Sequence, residues 1–120
     1  MTATPSDLAA RRTEHARTLD LAVRRLVDVL GGVEGIRRVS LFGSYARGRQ
    51  DLFTDLDALV VWDTDLAPIE RLTVLYRLLH LPVDLDLVCY TPVELEAMQD
   101  RPFLRHIAAE ELILLEKKPA

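Results

Sequence analysis

The chain has 120 residues, enough for one domain with its own core and too few for a second. Hydrophobic residues make up 49% and charged residues 28%, the balance of an ordinary soluble globular protein. A net charge of −4 and only seven aromatic side chains speak against a general nucleic-acid coat or a base-stacking platform.

Residues 1–6 show no periodicity, and Ser6 is placed to cap a helix. From Asp7 to about Leu30 the spacing predicts that helix. Leu19, Ala22, Val23, Leu26 and Leu30 fall on one face, and Gly31-Gly32 stops it. Val39 to Phe42 reads as a short strand running into Gly43-Ser44, and Tyr45 to Gly48 is a turn or a single helical turn. Arg49 to Phe53 is a loop, and Leu56 to Trp62 a second strand. Pro68 opens a helix to about His80, which Pro82 separates from a third strand, Val83 to Tyr90. Thr91-Pro92 with Glu94 is the capping-box pattern of another helix. A helix over 103–110 and an apolar run, Leu112 to Leu115, finish the chain. This order predicts an α/β (α+β) fold: a mixed β-sheet with helices packed against it, one domain over 1–120 with its core at about 20–116.

The longest purely apolar run, Ala58 to Trp62, is five residues, far below the ~20 that a membrane span needs. Met1 to Ala10 has no basic segment followed by an apolar one, and Cys89 has no second cysteine to pair with. A cytoplasmic protein is the expectation. Charge is uneven: residues 1–60 carry nine Arg and eight acids, net +1, while 61–120 carry six bases and eleven acids, net −5.

Two stretches carry chemistry. Gly43-Ser44-Tyr45-Ala46-Arg47-Gly48 follows a strand directly. Glycine allows close backbone approach, exposed N–H groups cradle phosphate, and Ser44 and Arg47 add donors. Asp55-Leu56-Asp57 opens the next strand, where side chains two apart share a face. Paired carboxylates repel, and Mg²⁺ relieves that repulsion. Asp84 and Asp86 offer a further acid on the third strand. Taken singly, each feature has a plainer reading: an ordinary turn, a helix cap, the wet side of an edge strand. Together they are what phosphoryl or nucleotidyl transfer requires.

Residues 43–57, GSYARGRQDLFTDLD, resemble the signature of the minimal nucleotidyltransferases, small members of the DNA polymerase β-like nucleotidyltransferase superfamily. Residues 82–92 are similar to that family's third-carboxylate strand and the turn after it, and 111–116 to its last strand. Thr54 stands where Ser is usual and keeps the hydroxyl. The resemblance implies that Gly43 and Ser44 hold the triphosphate, with Arg47 as a further nucleotide-binding group or a structural ion pair. It implies Asp55 and Asp57 as Mg²⁺ ligands and catalytic residues, completed by Asp86, with Asp84 as the competing choice. It also implies transfer of AMP from ATP to a hydroxyl. Stand-alone members of the family are often antitoxins that add AMP to a tyrosine of a HEPN-domain RNase toxin, so the resemblance implies a type VII-like toxin–antitoxin pair. Two other readings remain: an antitoxin that neutralises its partner by contact alone, and an enzyme acting on a small molecule of the aminoglycoside type.

Overall fold

The computed structural model describes residues 4–118. Its first element, α1 (Pro5–Gly31), starts two residues earlier than Ser6 and Asp7 suggest. Thr4 is the cap: its hydroxyl accepts the Asp7 N–H at 3.2 Å, and the Asp7 carboxylate accepts the Thr4 N–H at 3.2 Å. Pro5 then occupies the first helical position, where no N–H is needed. Leu19, Ala22, Leu26 and Leu30 form the buried stripe that the periodicity predicts.

Strand β1 (Ile36–Phe42) begins three residues before Val39. Arg37 and Arg38 hide this extension from pattern reading, because both are polar yet partly buried within the strand. One helical turn, α2 (Gly43–Ala46), follows at once, then β2 (Leu56–Trp62), α3 (Pro68–Leu79) and β3 (Leu85–Tyr90). His80 ends α3 in the left-handed region at φ 41, the only such non-glycine residue among those described. The chain closes with α4 (Pro92–Met98), α5 (Pro102–Glu110) and β4 (Leu112–Glu116).

The four strands lie in the order β3-β2-β1-β4. β1 is antiparallel to both β2 and β4, whereas β2 and β3 are parallel, with α3 as the crossover that parallel neighbours need. This is a single α+β domain with a mixed sheet. On one face α1 and α3 press Leu26, Leu30, Leu75 and Leu79 against Val39, Leu41, Ala58 and Val60. The other face is covered more thinly: Leu104 and Ile107 of α5 pack on Phe42 and Leu59.

The edge strand β3 is closed off by a side chain of α3. The Tyr76 hydroxyl donates to the Leu85 carbonyl and accepts the Leu87 N–H, both at 3.0 Å. It takes the place of a neighbouring strand at that point of the ladder. No helix among the described residues is long and apolar enough to cross a membrane.

Candidate active site

Sheet register brings the two chemical stretches together. Phe42 pairs with Asp57, and Asp57 pairs with Asp86, so one row across the thinly covered face reads Phe42, Asp57, Asp86. Gly43 comes immediately after that row. Its φ of +75 is unfavourable for any side chain, and a Cβ there would lie 2.3 Å from Asp57 Oδ2. The glycine therefore leaves the space in which the carboxylate sits.

The turn after Gly43 is held by its own backbone and by α1. Arg47 N–H reaches the Gly43 carbonyl at 3.1 Å, and Arg49 N–H reaches the Ser44 carbonyl at 2.9 Å. Gly48 completes the reversal at φ +94. The Tyr45 hydroxyl donates to Asp20 Oδ1 at 2.6 Å. Burial first, and then the Asp20 charge, push that phenol up to about 12, so it stays a donor.

The approach to the carboxylates is also built. Thr54 is fully buried, and its hydroxyl accepts the Asp51 N–H at 3.1 Å. Asp51 Oδ1 accepts the Phe53 N–H at 2.9 Å. His15 of α1 lies 2.9 Å from the Thr54 carbonyl through Nε2. Asp55 and Asp86 are exposed and Asp57 is partly buried. The Asp57 carboxyl is raised above its usual range by burial, and further by the negative charges of Asp86 and Asp55; Arg47 opposes this. Asp84 lies one residue before β3, outside the Asp57 row, and its carbonyl accepts the Leu56 N–H at 3.1 Å.

Among the described residues no three His, Cys, Asp or Glu side chains are disposed to enclose a metal ion. The donor chemistry nonetheless fits Mg²⁺. That ion takes hard oxygens, commonly one or two carboxylates plus substrate phosphates and water, and needs no complete protein cage. Two acids paired in register, one raised by burial and by its acidic neighbours, match that demand.

Arg47 and the Gly43 N–H both turn toward a residue that pattern reading passed over. Glu110, at the end of α5, accepts the Gly43 N–H through Oε1 at 2.8 Å. Its Oε2 accepts Arg47 Nη1 at 2.9 Å. The amide first, and then the arginine, hold the Glu110 carboxyl below its usual range. Glu110 lies 67 positions from Gly43 and no local motif marks it; its one signal is a carboxylate at a helix C-terminus, where the dipole disfavours it.

Glu94 completes the α4 capping box with Thr91 and also grips the buried Arg71 at 2.7 and 3.1 Å. The Cys89 thiol is pushed up to about 11 by burial, which disfavours the nucleophilic thiolate. A cavity of about 580 Å³ lies over Leu59 between α4 and α5, and none of Asp55, Asp57 or Asp86 lines it. A smaller one of about 420 Å³, lined by His15, Asp55, Pro82 and Asp84, opens beside the carboxylates.

Solved structures with this fold include a protein from Sulfolobus solfataricus assigned as a nucleotidyltransferase. It has a TM-score of 0.60 and 21% identity, over 88% of this chain and 87% of that one. A mutant of the toxin–antitoxin MntA-HpeT matches with a TM-score of 0.50 and 19% identity, over 82% of this chain and 73% of that one. No curated protein sequence matches the chain. Residues 23–119 match the family described as nucleotidyltransferase domain, a span containing β1, the glycine turn and all three aspartates. By that match, the chain belongs to the nucleotidyltransferase domain family.

Proposed function

We propose that the protein transfers AMP from ATP to a hydroxyl, in a Mg²⁺-dependent reaction, and that the acceptor is a tyrosine of a HEPN-family RNase toxin. One observation carries the transfer chemistry: the register that sets the Gly43 turn beside Asp57 and Asp86. The toxin partner is supported by the sequence resemblance and by the toxin–antitoxin MntA-HpeT among the structural neighbours.

In this reading Ser44 and the Gly43–Ala46 turn receive the β- and γ-phosphates, with Arg47 at the mouth. Asp55, Asp57 and Asp86 would hold Mg²⁺. Bound there, the ion would offset phosphate charge and favour the departing pyrophosphate. The acceptor oxygen attacks the α-phosphorus as the bond from that phosphorus to the bridging oxygen breaks. Pyrophosphate leaves, and the hydroxyl proton passes to a carboxylate, assigned here to Asp86. Such transfer depends chiefly on positioning and on fixed charges.

The test is incubation with α-labelled ATP and Mg²⁺, with and without the co-purified partner, beside an Asp55→Ala/Asp57→Ala variant. Label on the partner only with intact aspartates supports the reading and identifies the acceptor. No label on any partner, together with no binding of Mg-ATP, rejects it and leaves neutralisation by contact.

A further inference from the structure

Three residues of the 102–111 segment tie it to the site end of β1 and the turn that follows. Phe103 meets Phe42 edge-on, with ring centroids 6.1 Å apart and planes at 88°. Glu110 bonds Gly43 and Arg47. Glu111 accepts the Ser40 hydroxyl. Phe103 and Glu110 are two helical turns apart, so one face of α5 carries both.

The two members of the Arg47–Glu110 pair are placed differently. The Glu110 side chain is 15% exposed and the Arg47 side chain 53%. The carboxylate is therefore fixed to the scaffold, while the guanidinium stays at the open mouth of the turn. The Gly43 N–H has a permanent protein acceptor, which locks the first residue of the turn. The carboxylate also occupies a helix end that favours positive charge, a local conflict of the kind found at functional sites.

We infer that Glu110 is a positioning residue for nucleotide binding: it locks the Gly43–Ser44 turn and holds Arg47 at its mouth until a triphosphate becomes the arginine's partner. The inference rests on the nucleotide reading above. A long arginine side chain loses rotamer freedom when it binds, and a pre-placed one loses less.

The experiment is calorimetric titration with Mg-ATP of the wild type, Glu110→Ala and Glu110→Gln, with each melting temperature recorded. Glu110→Ala is expected to weaken binding about tenfold or more, since a charge-assisted contact and an amide acceptor are both lost. Glu110→Gln keeps an acceptor for Gly43 and is expected to recover part of that loss. Wild-type binding with an unchanged or tighter Glu110→Ala overturns the inference alone; tighter binding would mean that the carboxylate competes with phosphate. Equal weakening in both variants, tracking an equal fall in melting temperature, reduces Glu110 to a structural role. Should Glu110→Ala fail to fold, unchanged binding by Glu110→Gln overturns the inference by itself. A wild type that takes no Mg-ATP removes the nucleotide reading along with it.

Discussion

Asp57 and Asp86 are register partners across two parallel strands, so the two carboxylates are cross-strand neighbours on the same face. In folded protein without a cation this is an unfavourable arrangement, and Asp57 has a raised carboxyl, from burial first and then from the Asp86 and Asp55 charges. The folded state holds the Asp57 proton more tightly than the unfolded state does. Asp57 therefore lowers stability as pH rises through and above the ordinary carboxylate range, and this loss is recovered in acid. Asp57→Asn is expected to melt higher than the wild type at neutral pH, while nucleotidyl transfer falls at least about a hundredfold. Thermal melts at two pH values, with labelled transfer alongside, check both parts.

Divalent cation and nucleotide are expected to stabilise the wild type. Binding at about a hundred times Kd adds about 2.7 kcal/mol. Thermal shift with Mg²⁺ and ATP together should show a rise that is largely lost in Asp55→Ala/Asp57→Ala.

The choice of third carboxylate is testable by a pair of variants. Asp86 lies in the Asp57 row, whereas Asp84 precedes the strand. Asp86→Asn is expected to lose transfer at least about a hundredfold, and Asp84→Asn to stay within about threefold. The reverse pattern would reassign the role.

Gly43→Ala puts a methyl group 2.3 Å from Asp57 Oδ2 and forces a residue with a side chain to φ +75. Destabilisation of about 1–3 kcal/mol is expected, with displacement of Asp57. Urea unfolding measures the first, and loss of Mg-ATP binding in protein that is still folded measures the second.

Arg71 is buried and donates to both oxygens of Glu94. The Glu94 side chain is 35% exposed, so water screens that end and moderates the loss. Glu94→Ala is expected to cost about 1–3 kcal/mol by leaving the guanidinium buried without its counter-charge and with only the Leu66 carbonyl, 2.8 Å from Nε, as acceptor. The Glu94 carboxyl is held below its usual range by Arg71 first and then by the Thr91 N–H. Its contribution is thus complete above the ordinary carboxylate range and is lost as pH falls through the lowered one. Wild-type and variant melting curves should converge in acid.

The elements were legible where local rules sufficed. The Leu19, Ala22, Leu26, Leu30 stripe, the Pro68 start and the Thr91 box each depend on neighbours in sequence, and each is present. The start of β1 was missed because Arg37 and Arg38 are strand residues whose polarity hides the strand. The proximity of Gly43 to Asp57 was readable as two motifs, but its tightness is a matter of single atoms. Glu110 was illegible because its partners are distant in the chain and its own surroundings, His106-Ile107-Ala108-Ala109, hold no signal for them.

The Tyr76 hydroxyl also restricts how this sheet can grow. A strand adding to β3 would have to displace the ring that occupies the Leu85 carbonyl and the Leu87 amide. The other edge of the sheet is β4. Open-ended ribbons of native sheets need two receptive edges in every copy. Tyr76 thus withdraws one hydrogen-bonding step of the β3 edge from such pairing.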